Sequence, residues 1–210
     1  MDEVYSSVLT ETSAQIKVEG SRFIADVFPA TDEESAKTIL ESVRKKYYDA
    51  THHCYAYVIG AEKKNVRYSD DGEPSGTAGI KIHSAIQAKN LSDILVVVTR
   101  YFGGTKLGVG GLGRAYFESA ENGIAHIKIV SKALVKELHV AFPFSETNPV
   151  MNVINSQKLK IARTDYTADR SIITLHILPS QLVPVQLLFT NATRGLAEIS
   201  SGNSITVVWQ

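Results

Sequence analysis

Cysteine is nearly absent from this chain: among 210 residues, Cys54 is the only one. A single thiol cannot close an intramolecular disulfide, which predicts a protein of a reducing compartment. The acidic start, Met1-Asp2-Glu3, has neither the basic nor the apolar segment of a signal peptide. The longest apolar run, residues 94–98, is far shorter than the roughly 20 residues that span a membrane. We therefore expect a cytoplasmic protein that does not enter a membrane.

An excess of charge of one sign is also missing, because 22 basic side chains balance 22 acidic ones. A neutral chain does not hold nucleic acid by bulk positive charge. Hydrophobic residues make up 44% and charged residues 21%, which are globular values that exclude collagen-like, coiled-coil and disordered classes. Residues 81–114 depart from the balance, with five basic side chains against the single acid Asp93. We expect a local basic patch in this segment.

Glycine is ordinary in number but unusual in placement. The chain has 14 glycines, and six of them fall within the eleven residues from 103 to 113: Gly103, Gly104, Gly108, Gly110, Gly111 and Gly113. An apolar run without alternation predicts a strand before this cluster, at residues 93–102, with both of its faces covered. Periodicity predicts a helix after it, over residues 111–128. The cluster therefore occupies a strand-to-helix junction.

Two interpretations of this junction stay open. Glycines expose backbone N–H groups and a helix N-terminus favours negative charge, so the junction could bind a phosphate or a nucleic-acid backbone. The cations that would assist flank the cluster: Arg100, Lys106 and Arg114. Alternatively, the glycines allow close packing of strand, loop and helix. Gly108, Gly110 and Gly113 match the dinucleotide pattern G-x-G-x-x-G, but no acidic residue follows about 20 residues later, which argues against that ligand.

A second candidate is the segment His52-His53-Cys54, within a strand predicted at residues 52–60. Adjacent strand residues point to opposite faces, so only His52 and Cys54 could share a metal ion. A zinc site would need further ligands, and the sequence has no second compact cluster to supply them. We predict neither a metal site nor a Cys-His nucleophile here, and Cys54 is predicted to be a small buried residue.

A polar loop at residues 67–77 is the third candidate. Its chemistry-bearing side chains are Arg67, Asp70, Asp71, Glu73 and Ser75. Such groups can bind a cation, orient a water molecule or accept a basic partner. The same residue types also build turns, so the alternative is a structural loop in which Ser75 or Thr77 caps the next helix.

The alternation of strand and helix patterns predicts an α+β fold with two domains. In the first domain, residues 1–131, a hairpin precedes a helix whose start has capping-box spacing, from Thr31 to Glu34. In the second domain, residues 132–210, the predicted order is βαββαβ, which is typical of a ferredoxin-like domain. The last strand is predicted at residues 205–209.

Two long segments, residues 68–79 and 97–116, resemble the signature of the IMPACT family in its bacterial two-domain form. The resemblance is ungapped and covers the N-terminal half. It implies that the first domain is similar to the second domain of ribosomal protein S5. The C-terminal half is similar to the small ferredoxin-like domain of the bacterial members, which resembles domain V of elongation factor G.

Eukaryotic members of that family regulate translation and associate with ribosomes, so the resemblance implies a non-enzymatic, translation-related binding protein. Its expected partner is RNA, the ribosome or a translation-regulatory protein, and neither a cofactor nor a metal is expected. Phosphates would contact the cations and backbone amides of the glycine cluster. Further residues are expected to line the same groove: His52, His53, Arg67, Asp70, Asp71, Glu73, Ser75, Tyr101 and Phe102.

Two other functions are kept as alternatives. The S5-like fold also occurs in small-molecule kinases that hold phosphates on a glycine-rich loop, so the chain could be an enzyme that binds a phosphorylated ligand or nucleotide. Asp70, Asp71 or Glu73 would then supply a base or a metal ligand. A neutral chain with an acidic loop is also compatible with a protein-interaction module that has no nucleic-acid role.

Overall fold

The computed structural model describes residues 3–209, which form two compact units. The first unit ends at Ser131, and the second is Lys132–Trp209. Both combine helices with antiparallel strands, so the architecture is α+β. Among residues 3–209, no helix is both long enough and apolar enough to cross a membrane.

The described part of the first unit combines six strands with three helices. Along the chain these are β1 (Val4–Val8), β2 (Thr12–Val18), β3 (Ser21–Pro29), α1 (Glu33–Lys46), β4 (His52–Ile59), β5 (Asn65–Ser69), α2 (Gly79–Ala88), β6 (Ile94–Tyr101) and α3 (Gly108–Ala125). The sheet order is β2-β3-β6-β4-β5, and neighbouring strands are antiparallel. His52 on β4 lies directly opposite Arg100 on β6, so two candidate residues meet at one end of the central strands.

The central strand β6 is covered on both faces. Val96 and Val98 pack into a core shared with α2 and α3, whereas Leu95 and Val97 pack into a core shared with α1. All four side chains are fully buried. A strand that feeds two cores needs apolar residues at every position, which explains the apolar run that lacks alternation.

Helix α1 begins one residue later than its sequence pattern suggests. The Asp32 carboxylate Oδ1 accepts a hydrogen bond from the Ser35 backbone N–H at 2.7 Å, so Asp32 is the N-cap. The predicted capping box between Thr31 and Glu34 is therefore wrong. Asp is as good an N-cap as Thr, and placing it here leaves Glu34 in the acidic first turn, where it complements the helix dipole.

Helix α3, in contrast, begins earlier than predicted, at Gly108 rather than residue 111. Leu112, Ala115 and Tyr116 are buried at helical spacing on the face that packs against the sheet. Tertiary packing of this face outweighs the low helix propensity of glycine. Most of the glycine cluster thus lies in the first turns of a helix rather than in a loop.

The second unit has the element order βαββαβ. Its elements are β7 (Ile129–Pro143), α4 (Thr147–Ser156), β8 (Lys160–Tyr166), β9 (Arg170–Ile177), α5 (Leu182–Ala192) and β10 (Glu198–Val208). The strands pair in the order β10-β7-β9-β8, and all these pairs are antiparallel. Leu138, Phe142, Leu175 and Phe189 are among the fully buried residues that join strands and helices in one core.

Strand β10 is much longer than the predicted strand at residues 205–209. Its first half is polar, with Ser200, Ser201 and Ser204, and it shows no apolar alternation that would identify a strand. Pairing with β7 supplies the missing backbone hydrogen bonds, with a register shift between Ser201 and Ser204. The pairing partner, rather than local propensity, therefore determines this half of the strand.

Candidate functional site

The polar loop between β5 and α2 is held by Asp70. Its carboxylate accepts hydrogen bonds from the backbone N–H groups of Gly76, Ala78 and Gly79, at 2.8–2.9 Å. Burial raises the pKa of Asp70, but these three amides outweigh it and hold the pKa below its usual value. Asp70 thus accepts hydrogen bonds from the backbone N–H groups at the start of α2, although it lies nine residues before Gly79 in the sequence. The prediction that Ser75 or Thr77 caps this helix is wrong, because neither provides the cap.

Asp71 connects the loop to β4 and α1. One carboxylate oxygen accepts the His53 backbone N–H at 2.7 Å, and the other lies 3.2 Å from the Arg44 guanidinium. The Asp71 carbonyl lies 2.8 Å from His52 Nδ1, whereas His53 Nε2 lies 3.0 Å from the Tyr47 carbonyl. The two histidine rings therefore have separate partners. Among residues 3–209, no group of three His, Cys, Asp or Glu side chains is placed to hold a metal ion.

Glu73 forms a buried ion pair with Arg100. Glu73 Oε1 lies 2.6 Å from Arg100 Nη1 and accepts a second hydrogen bond, at 2.9 Å, from the Tyr116 hydroxyl. The two charged side chains are only 4% and 7% exposed. Arg100 Nη2 also donates to Ser21 Oγ at 3.3 Å. The sequence suggests Arg100 as a phosphate contact, but its charge is compensated by Glu73 of the polar loop.

Cys54 lies beneath the same cluster and is fully buried. Its Sγ lies 3.0 Å from the Asp70 carbonyl and 3.3 Å from the Tyr116 hydroxyl. Burial raises the pKa of the thiol far above its usual value, and the hydrogen bond with Tyr116 offsets only part of this shift. The side chain is a packed part of the core rather than a nucleophile.

We expect Cys54 to resist alkylation by iodoacetamide in the folded protein. Because the thiol is fully buried and stays protonated, labelling should be on the order of a hundredfold slower than in the urea-unfolded chain. Mass spectrometry of timed samples at mildly alkaline pH measures both rates. Comparable rates in the folded and unfolded chain would contradict this description of the thiol.

The start of α3 presents a different chemistry. The helix has no side-chain N-cap and no acidic residue in its first turn. Lys81 and Arg114 line a cavity of about 520 Å³ beside it, and Lys106 and Arg114 line a second cavity of about 390 Å³. We refer to these two cavities, which share Arg114 and Glu118, as the basic cleft. Among residues 3–209, none of the three cations forms an ion pair with a carboxylate, although Glu19 and Glu118 also line the cleft.

A third cavity, of about 370 Å³, connects the buried ion pair with the start of α3. We call it the Glu73 pocket. Its lining residues are Glu73, Pro74, Arg100, Phe102, Lys106, Leu107, Gly108, Val109 and Leu112. Lys106 lines both this pocket and the basic cleft, so the polar loop, the glycine cluster and the cations surround one helix end.

Several residues that were predicted to share the groove do not line these cavities: His52, His53, Arg67, Asp70, Asp71, Ser75 and Tyr101. Arg67 lies opposite Tyr57 on the neighbouring strand, and both face a separate cleft against α1, so the prediction that Arg67 shares the groove is wrong. Alternation along β5 explains this, because one register step places a side chain on the other face. Tyr101 donates its hydroxyl hydrogen bond to Asp49 at 2.8 Å. Ser75 is exposed on the polar loop.

The glycines divide between the two interpretations that the sequence left open. A Cβ on Gly103 would lie 1.9 Å from the Gly20 carbonyl carbon, so this glycine allows close approach to the β2–β3 turn. At Gly104, Gly108 and Gly110, a Cβ would meet no atom within 4 Å. These three border open space, and Gly110 lines the basic cleft.

Two site residues were not identified from the sequence. Lys81 belongs to the basic segment, but only the packing of α2 beside α3 brings it near Arg114. Tyr116 looks like an ordinary core residue of α3, and nothing in the pattern signals that its hydroxyl contacts Glu73. The missing information was the packing of neighbouring elements: α2 beside α3 for Lys81, and the polar loop beside α3 for Tyr116.

Comparison with known proteins places this arrangement in a family. Residues 19–124 match the profile of the Impact N-terminal domain. The chain is 32% identical over 198 residues to IMPACT family member YvyE of Bacillus subtilis (strain 168), covering 94% of this chain and 91% of that protein. It is 33% identical over 154 residues to IMPACT family member YigZ of Escherichia coli (strain K12), covering 72% and 76%.

A solved structure has the same fold. The crystal structure of a hypothetical protein superimposes with a TM-score of 0.66 at 26% sequence identity, covering 97% of this chain and 99% of the other. The domain match includes the polar loop, the buried ion pair and the glycine cluster. On this domain match and the extent of the identity to YvyE, the chain belongs to the IMPACT family.

Proposed function

We propose that this chain is a non-enzymatic, cytoplasmic binding protein of translation that contacts the phosphates of RNA, free or on the ribosome, through its basic cleft. The observation that carries the proposal is the set of three cations, Lys81, Lys106 and Arg114, around a helix start without a side-chain cap. The translation role follows from the family resemblance.

The physical support is that two sources of uncompensated positive charge, the start of α3 and the three cationic side chains, lie together. Backbone N–H groups in the first turn of a helix lack intrahelical partners, and the helix dipole adds partial positive charge there. Exposed cations without an ion-pair partner keep their charge available for a ligand. A phosphate would satisfy both, and the open surface at Gly110 allows its close approach.

The polar loop favours binding over catalysis. Asp70 accepts three backbone amides, Asp71 pairs with Arg44, and Glu73 pairs with Arg100. Each carboxylate thus already holds part of the fold, which leaves none of the three free as a mobile base. The kinase-like alternative needs such a group, so the geometry supports it less well.

The finer fold assignment belongs to the same proposal. We assign residues 1–131 to an S5 domain 2-like domain of the IMPACT type and residues 132–210 to a ferredoxin-like domain similar to domain V of elongation factor G. The sheet layered between helices supports the first assignment. The order βαββαβ, with strands paired as β10-β7-β9-β8, supports the second.

Replacing Lys106 and Arg114 together by alanine tests the proposal. For single-stranded RNA the logarithmic salt slope is about −0.7 per neutralised phosphate, so three contacts predict a slope of about −2 for the natural sequence. The double variant should bind roughly tenfold more weakly at low salt, with the slope reduced to about −0.7. Fluorescence anisotropy with a short unstructured RNA, at several salt concentrations, measures both quantities.

The matched control is Lys89→Ala with Lys128→Ala. These exposed lysines lie at or just beyond the C-terminal ends of α2 and α3, whereas the basic cleft lies at the start of α3. This variant therefore loses the same net charge away from the cleft. It should retain the affinity and nearly all of the slope, because a distant charge is screened by salt. Equal weakening by both double variants would refute a located phosphate site.

A further inference from the structure

Strand β5 is an edge of its sheet and has a cavity on each face. The order β2-β3-β6-β4-β5 leaves its outer side without a strand partner among residues 3–209. Arg67 and Ser69 line a cavity of about 300 Å³ against α1, whereas Val66 lines one of about 230 Å³ beside α2. We call these the α1-side cavity and the α2-side cavity. An edge strand offers unpaired backbone groups, and a pocket on either face can receive the alternate side chains of an added strand.

The α1-side cavity is cationic. Its lining includes Lys37, Arg44 and Arg67 against the single acid Glu41. The Glu41 carboxylate lies 2.9 Å from Arg44, so its charge is already compensated. Arg67 is exposed and forms no ion pair with a carboxylate in the described part of the chain. An acidic side chain that enters this cavity would therefore find a cation available for a charge-assisted hydrogen bond.

The α2-side cavity has an apolar floor and a polar rim. Val58, Val66 and Leu91 supply the apolar surface, and Gln87 and Asn90 are exposed polar residues beside it. Its volume is below that of a pocket for a drug-sized molecule and suits a single side chain. Small β-branched residues fit such a floor and favour the extended conformation of an added strand.

We propose that β5 binds an extended segment of a protein partner in which acidic residues alternate with threonine or valine. Successive side chains of a strand point to opposite faces, so the acidic residues would enter the α1-side cavity and the β-branched residues the α2-side cavity. This surface shares no lining residue with the basic cleft, and the inference does not depend on the proposed contact with RNA.

Two other occupants fit the edge less well. Antiparallel pairing of β5 with β5 of a second copy, over all five residues, would place Arg67 directly opposite Arg67. Like charges in that position destabilise a strand pair. RNA offers phosphates to the cations, but it has no peptide N–H and C=O groups to pair with the strand. The experiment below distinguishes both from a peptide.

Two end-blocked, fluorescent peptides of identical composition test the inference. In the first, four glutamates alternate with three threonines; in the second, the three threonines are consecutive and two glutamates stand at each end. We expect the alternating peptide to bind about tenfold more tightly, because only this order sends all the acidic side chains to the cationic face. Fluorescence anisotropy at low salt gives both affinities. Equal affinities would show that net charge alone attracts the peptides and would overturn the proposal.

Arg67→Glu provides the second arm. It should weaken binding of the alternating peptide by about tenfold or more, because the cavity then repels a carboxylate. Arg163→Glu makes the same change of charge at an exposed arginine on β8, an edge strand of the second unit, and should leave the affinity unchanged. Circular dichroism confirms that both variants are folded. Unaltered affinity in Arg67→Glu would overturn the proposal.

Hydrogen exchange of the unaltered chain locates the peptide without any substitution. With saturating alternating peptide, amides of β5 should exchange about fivefold more slowly, because added backbone hydrogen bonds protect them. Amides of β2, the opposite edge, should not change. Unchanged exchange in β5, or displacement of the peptide by an excess of oligouridylate, would overturn the β5 surface. Neither result would alter the predicted effect of the Lys106 and Arg114 variant on RNA, so the two proposals can fail separately.

Discussion

Replacing Glu73 by alanine is expected to lower the free energy of unfolding by about 3–5 kcal/mol, because it leaves the Arg100 charge buried without compensation. The Arg100 side chain is 7% exposed, and its Nη1 lies 2.6 Å from Glu73 Oε1. Tyr116 would also lose the acceptor for its hydroxyl. Urea unfolding followed by circular dichroism, fitted for the first unit, measures the change.

The control is another ion pair of the same length. Lys64 and Glu62 also approach to 2.6 Å, but their side chains are 81% and 40% exposed. Glu62→Ala should leave the stability unchanged within error, because exposed pairs are screened by water and salt. Replacing Glu73 and Arg100 together by apolar residues should recover part of the loss, since no charge is then left alone. A Glu73→Ala variant as stable as Glu62→Ala would show that burial does not decide the strength of this pair.

The two segments that resemble the family signature are parts of one structural unit. Glu73 in the first segment contacts Arg100 and Tyr116 in the second, and Cys54, which precedes both segments in the sequence, contacts Asp70 and Tyr116. A buried salt bridge and the hydroxyl that donates to it require residues of fixed size and charge in both segments. The long resemblance therefore reflects a packed polar cluster as well as an exposed surface.

The sequence could predict elements whose burial leaves a regular pattern. The apolar residues 94–98 identify the central strand, and Ala36, Leu40 and Val43, which recur at helical spacing, identify α1 as an amphipathic helix. The sequence could not predict the first half of β10, which is polar and is held by pairing with β7. The spacing of hydrophobic residues shows which face of a helix or strand is buried. Which strands pair with one another depends on the whole sheet.

The candidate site could be predicted as a set of segments but not as a set of contacts. Arg100 and Lys106 both belong to the basic segment, yet one is buried in an ion pair and the other is exposed. Residue type gives the charge of a group, whereas its burial depends on where neighbouring elements pack. For the same reason, Lys81 became part of the cleft only through the placement of α2 beside α3.

Gly103→Ala is expected to destabilise the first unit by about 3 kcal/mol, at the upper end of the cost of overpacking. The new methyl carbon would lie 1.9 Å from the Gly20 carbonyl carbon and 2.3 Å from the Ser21 nitrogen, so backbone atoms must separate. Ser21 Oγ also accepts a hydrogen bond from the Gly103 N–H and one from Arg100, so this movement would strain the buried ion pair. Urea unfolding measures the loss.

Gly110→Ala is the matched substitution, because it adds the same methyl group in the same cluster. Its Cβ would meet no atom within 4 Å, and the residue lies in the first turn of α3. Relief of the entropic cost of a helical glycine should therefore raise the stability by roughly 0.5–1 kcal/mol. The cleft would gain a methyl group where a phosphate approaches, so RNA affinity should fall as stability rises. A loss of stability in Gly103→Ala together with a gain in Gly110→Ala would show that the first glycine is needed for packing and the second leaves room for the ligand. Equal destabilisation by both substitutions would mean that the whole glycine cluster serves packing.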